Sequence, residues 1–189
     1  MGATLALVVL AGATGAFASG TTFTAPTRLG YRPGDDWEPS IATDHFGHVY
    51  TFFTHYQTVC CGPHLMTLQI SSDGGATWSA PTHPFPSAAS QDDPQIAVDP
   101  VDGRTVYASY MQGSKSSQYV AKSTDFGKTW HSMLVEPLKR GTDKDILAVR
   151  GNDVYLVYNA VQKIYASVSH DGGKTWSFGA IVPNTNSKL

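Results

Sequence analysis

The sequence predicts an all-β chain built from repeated four-stranded units. Two observations carry that prediction: the density of chain-breaking residues, and a motif that recurs three times. The 189 residues include 18 Gly and 11 Pro. That is about one breaker in every six or seven positions, which leaves little room for long helices. Hydrophobic residues make up 41% and charged residues 15%, enough apolar material for a core and too little charge for a disordered chain. A formal charge of −2 argues against a nucleic-acid partner, which leaves a basic stripe or a high pI.

Residues 1–18 stand apart. They carry no charged side chain, hold the apolar run Leu5-Ala6-Leu7-Val8-Val9-Leu10, and end in the small-x-small sequence Ala16-Phe17-Ala18. This is the pattern of a secretory signal peptide, although no Lys or Arg precedes the apolar run. An uncleaved membrane anchor is the alternative, but the segment is Gly-rich and at the short edge of a spanning length. A secreted, periplasmic or cell-surface location is therefore expected, with no membrane contact beyond this segment and a mature chain from near Ser19. Residues 19–35 are expected to form an N-terminal outer strand and an entry loop, because Thr22-Phe23-Thr24-Ala25-Pro26-Thr27-Arg28 echoes Thr77-Trp78-Ser79-Ala80-Pro81-Thr82-His83.

The recurring motif is an octapeptide. It reads Ser71-Ser72-Asp73-Gly74-Gly75-Ala76-Thr77-Trp78, Ser123-Thr124-Asp125-Phe126-Gly127-Lys128-Thr129-Trp130 and Ser169-His170-Asp171-Gly172-Gly173-Lys174-Thr175-Trp176. Ser, Asp, Gly, Thr and Trp are common to all three copies. The period of roughly 50 residues is that of propeller blades. Two β-rich runs precede each copy, the second with a Val-Tyr pair (Val49-Tyr50, Val106-Tyr107, Val154-Tyr155). A third run leads into the octapeptide and a fourth follows it. Four short strands joined by Gly- and Asp-rich turns make a propeller blade, so three blades are expected over 36–189, at about 36–88, 89–141 and 142–185.

Within each blade the octapeptide reverses the chain between strands three and four. Gly75, Gly127 and Gly173 supply the positive φ of the turn. The Asp carboxylate accepts backbone N–H groups, the hydroxyls of Ser71, Thr77, Ser123, Thr129, Ser169 and Thr175 add to the turn, and the Trp rings pack between blades. A calcium loop needs carboxylates at alternating positions, and each turn has one. These octapeptides are Asp-boxes, and the chain resembles the sialidase-like, or BNR-repeat, β-propeller superfamily over nearly all of its mature length. The resemblance implies the architecture. It leaves activity open, because that superfamily includes sialidases, other glycosidases and proteins that only bind.

The blade end opposite the Asp-boxes is where a ligand site is expected. There Glu38, Asp93 and Lys144 begin the innermost strands at equivalent positions, with Asp92, Asp143 and Asp145 beside them. Glu38, Asp92, Asp93, Asp143 and Asp145 are candidates for acid–base work on a sugar or for cation binding; the other reading is that they cap strand ends and solvate the rim. Arg32, Glu38, His55, Tyr56, Asp93 and Lys144 are the candidate ligand-binding residues.

Sialidases open their first blade with an Arg-Ile-Pro motif. The corresponding stretch is Trp37-Glu38-Pro39-Ser40-Ile41, with Glu in place of the arginine, and 49–72 holds no Asp, Glu, Lys or Arg where the family places its acid/base aspartate. A Glu there repels an anionic substrate. The same loop holds the only cysteines, Cys60 and Cys61, readable as a strained vicinal disulfide, as a thiolate site with His55 and His64, or as a rigid loop. No metal and no cofactor is expected.

The expected function is binding of a glycan or other extracellular ligand without sialidase turnover. The alternatives are part of a glycoside hydrolase completed by further blades, or a protein-interaction propeller. Three blades leave two open flanks, through which self-association is expected.

Overall fold

The computed structural model describes residues 25–58, 62–113, 117–136, 141–161 and 163–180. The proposed signal segment, Thr22 to Thr24 of the outer strand, and Cys60 and Cys61 lie outside the described residues. Eleven strands and no helix make up the described chain, so no described helix is long and apolar enough to cross a membrane.

The strands form three antiparallel sheets in chain order. The first holds β1 (Asp35–Thr43), β2 (Val49–Tyr56) and β3 (His64–Ser71). The second holds β4 (Gln91–Val98), β5 (Val106–Gln112), β6 (Ser117–Ser123) and β7 (His131–Glu136). The third holds β8 (Thr142–Arg150), β9 (Asp153–Ala160), β10 (Lys163–Ser169) and β11 (Ser177–Ala180). The first sheet thus has three strands. Where a fourth is expected, pairing shrinks to the single bridge Leu68–Thr82, and Pro81 beside it cannot donate to a ladder. Residues 25–34, the described part of the expected outer strand and entry loop, belong to no strand.

The sheets stack face on face. β1 touches β4 and β4 touches β8, so these three are the inner strands. Between the first two sheets Tyr50, Phe52, Met66 and Leu68 pack against Ile96, Val106, Ala108, Tyr110 and Ala121, with Phe85 from the linker wedged among them. Between the second and third sheets Tyr107, Val120 and Val135 meet Val154, Leu156, Tyr158, Ala160 and Tyr165. The second sheet is therefore apolar on both faces, which explains the nearly continuous burial of Val-Tyr-Ala-Ser-Tyr-Met in β5.

Each Asp-box closes on itself. In the first, Ser71 Oγ donates to Asp73 Oδ1 (2.7 Å) and accepts from Gly75 N (2.8 Å). Thr77 donates its N–H to Asp73 Oδ1 (2.8 Å) and its hydroxyl to Oδ2 (2.6 Å), and Trp78 Nε1 donates to Gly75 O (3.1 Å). The other two copies repeat the set around Asp125 and Asp171. The three rings are half-buried rather than sealed between sheets, because each indole is tied to its own turn. Hydrogen bonds from Thr hold the carboxyls of Asp73 and Asp125 at about 2 and push that of Asp171 lower still.

Candidate functional site

The end of the molecule opposite the Asp-boxes is shaped by three β-bulges at one register. Between the pairs Trp37–Thr54 and Ser40–Phe52, two residues of β1 oppose one of β2. The same slip occurs between Asp92 and Gln95 and between Asp143 and Ile146. At the first bulge residue the backbone turns left-handed: φ is 52° at Glu38, 50° at Asp93 and 51° at Lys144. For non-glycine residues this costs on the order of 1–3 kcal/mol each, and such strain concentrates where a side chain must be aimed.

The three side chains meet. Lys144 Nζ lies 2.6 Å from Glu38 Oε1 and 3.2 Å from Asp93 Oδ1, while its backbone N–H donates to Asp93 Oδ2 at 2.6 Å. Asp93 is buried and Glu38 and Lys144 are exposed, so the cluster opens to solvent. Its contacts set its charge. Burial pushes Glu38 up, but the hydrogen bond from Lys144 and its positive charge outweigh that and hold it below the usual carboxylate range. The hydrogen bond to Glu38, with Asp93 adding to it, raises Lys144.

Beside the cluster stands a row of mutually tilted rings. Trp37, 41% exposed, lies 5.2 Å from Tyr56, which lies 4.4 Å from His64. Trp37 Nε1 donates to Asp35 Oδ2 at 2.7 Å, and His64 Nε2 sits 2.9 Å from Asp92 Oδ1. Burial, then the charges of Asp92, Glu38, Asp93 and Asp35, raise the Tyr56 phenol.

Asp145, the second residue of the third bulge, is 2% exposed. Ser109 Oγ donates to its Oδ2, and Oδ1 meets no hydrogen-bond partner among the described residues. Burial pushes this carboxyl to about 7.

The structure thus brings Glu38, Asp92, Asp93, Lys144 and Tyr56 to one end. Asp143 pairs with Asn159 in the same bulge, and Arg32 is exposed on the entry loop. His55 is different. It is 5% exposed, its Nδ1 lies 2.7 Å from Asp36 Oδ1, and a Cβ on Gly34 would run into its ring. With Tyr31 packed on it, His55 fills space on the opposite face of β2 instead of facing a ligand. Trp37 is the residue of this cluster that the sequence did not single out, and His64, read there only as a partner of the cysteines, instead meets Asp92. Trp37 was detectable, because it holds the repeat position of Asp92 and Asp143. Among the described residues no three His, Cys, Asp or Glu side chains come together as a metal site.

Residues 19–189 match the BNR repeat-like domain, and the chain belongs to that family. No curated protein matches the sequence. Among solved structures it is similar to a protein of unknown function from Dyadobacter fermentans (19% identity, TM-score 0.55, covering 75% of this chain and 40% of that one). It also resembles the GH93 α-L-arabinofuranosidase of Fusarium graminearum (17%, 0.57, 80% and 50%) and an exo-β-1,3-galactanase from Phanerochaete chrysosporium (12%, 0.58, 79% and 36%). The fold is a BNR-type β-propeller fold, and the chain spans half or less of these three relatives. That arabinofuranosidase is bound to arabinobiose, and that galactanase to β-1,3-galactotriose.

Proposed function

We propose that this chain is a segment of an exported β-propeller that binds a neutral carbohydrate at the bulged end of its inner strands. One observation carries the reading: the half-exposed Trp37 ring stands beside the Glu38–Lys144–Asp93 cluster, and three strained bulges hold that cluster. An aromatic face offers a platform for the C–H face of a sugar ring, and convergent carboxylates and an ammonium accept from and donate to its hydroxyls. Lys144 is shared by two carboxylates and Asp35 and Asp92 lie alongside, so an anionic sugar meets repulsion. The carbohydrate ligands of the similar structures support the substrate class.

Turnover by this chain is the weaker reading. A general acid needs a carboxyl that keeps its proton near neutral pH, and Asp145 does so, but it is sealed behind the bulge against Ser109. Calorimetric titration of the full chain with neutral and sialylated oligosaccharides tests the proposal. Neutral ligands should bind, sialylated ones should not, and Trp37→Ala should weaken binding at least ten-fold with an unchanged melt. Failure of every neutral oligosaccharide, or wild-type affinity in Trp37→Ala, would overturn it.

A further inference from the structure

We infer that His64, held in its protonated form against Asp92, is the positioning residue of the carbohydrate platform, so that sugar binding strengthens as pH falls. This role rests on the reading of Trp37 as that platform and names what sets it. Asp35, Tyr56 and His64 stand at one register across the first sheet, Tyr56 pairing with Asp35 on one side and with His64 on the other. Asp35 Oδ2 fixes the Trp37 indole N–H at 2.7 Å. The Trp37 ring lies against Tyr56, which is 9% exposed, and Tyr56 lies against His64. Where the His64 ring stands therefore decides where Tyr56 and Trp37 stand.

Both ring nitrogens of His64 face acceptors. Nδ1 lies 2.7 Å from Gly62 O, and a carbonyl can only accept, so Nδ1 carries a hydrogen. Nε2 is buried, meets no other hydrogen-bond partner among the described residues, and lies 2.9 Å from Asp92 Oδ1. A neutral ring would set a bare lone pair against that carboxylate oxygen. The imidazolium removes the conflict, because it donates at both nitrogens and adds the attraction of an ion pair. The two side chains are 15% and 14% exposed, so water screens the contact little. One proton thus holds the pair together, whichever partner carries it. As that proton leaves, the contact becomes acceptor against acceptor and opens, and Tyr56 loses its backing.

The charged and titratable groups around the His64–Tyr56 contact come from four strands. They are Tyr56 itself from β2, Asp35 and Glu38 from β1, and Asp92 and Asp93 from β4, with Lys144 of β8 paired to Glu38 and Asp93. Burial and the four carboxylates raise Tyr56. Glu38 is held below the usual carboxylate range and Lys144 is raised, so both keep their charges across the range in which an imidazole titrates. Asp145, brought to about 7 by burial, does change charge there. Its contact is with Ser109 and not with the ring, and a variant separates the two.

Calorimetric titration of the full chain with arabinobiose and with β-1,3-galactotriose, at about pH 5.5 and about pH 8, spans the imidazole range. Affinity should be higher at the lower pH by about five-fold or more, and between the two values binding should take up protons, read from paired buffers of different ionisation enthalpy. Asp92→Asn should abolish the difference by keeping the contact at both pH values, because its amide N–H donates to a neutral Nε2. Asp145→Asn should retain the difference. Should Asp92→Asn not fold by circular dichroism, His64→Phe takes its place, with weak binding at both pH values. Without sugar, the tryptophan emission of the wild-type chain should shift over the same range, and the shift should vanish in Trp37→Phe and in Asp92→Asn. If neither oligosaccharide binds while that shift is seen, the carbohydrate reading falls and the positioning role stands. Binding or emission that ignores pH, a difference that survives Asp92→Asn, or one that vanishes in Asp145→Asn would overturn the inference.

Discussion

Asp145 occupies the bulge position that Pro39 and Pro94 hold in the other two sheets. A proline suits that position because it has no N–H to leave unpaired, whereas Asp145 brings a carboxyl into a buried site. Its folded value of about 7 lies above its ordinary 3.8. The folded chain therefore holds a proton that the unfolded chain has released, and stability falls as pH rises from about 4 to about 7. Asp145→Asn should flatten that slope, raising the melting temperature at pH 7 relative to wild type while changing it little at pH 4; parallel melting curves of the two proteins across that range would contradict the assignment. The neighbouring charged residues were readable in the sequence, since Glu38, Asp93 and Lys144 begin equivalent runs of a visible repeat. What the repeat did not reveal was the partner of each. Asp92 meets His64 across a loop and Asp145 meets Ser109 across a sheet interface, and neither distance leaves a trace in spacing.

At the scale of single elements, the Asp-box shows how much a motif can specify. Its five fixed residues are accounted for by bonds within the turn, where Asp73 Oδ1 accepts from Ser71 and from the Thr77 N–H and Oδ2 from the Thr77 hydroxyl. The Trp rings were expected to fill the space between sheets. They are half-buried, and Phe85 of the linker, 5% exposed, takes the centre of that space, edge-on to Trp130 and stacked on Tyr110. A linker residue has no counterpart in the octapeptide, so the repeat could not announce it. Phe85→Ala should accordingly cost about 3–5 kcal/mol in denaturant unfolding and Trp130→Ala about 2 kcal/mol; the reverse order would restore the tryptophan as the main wedge. Gly127→Ala and Gly75→Ala separate backbone strain from packing. Both place a side chain at positive φ (77° and 95°), but only Gly127 has Ile70 and Tyr50 above it. The monomer should lose more stability from Gly127→Ala, by about 1 kcal/mol.

For the whole molecule, the stacking order sets where the chain opens first. The second sheet contributes to both apolar clusters, one with the first sheet and one with the third. The first sheet has one such contact plus the entry loop, tied down by Gly30 N to Gln69 Oε1 and by Tyr31 Oη to Pro81 O at 2.8 Å. Among the described residues the third sheet has a single such contact, and Tyr155, Ile146 and Ile164 are exposed on it. In a stack whose units touch only their neighbours, local opening follows that count, and an end unit frays ahead of the centre. Amide hydrogen exchange on dilute protein should therefore be slowest in β5 and β6, intermediate in β2 and β3, and fastest in β9 and β10. The ladders of the third sheet are as regular as those of the second, so ladder geometry alone would have the two exchange alike. Equal exchange in all three sheets at low concentration would show that the stack opens as one unit and that its order sets nothing.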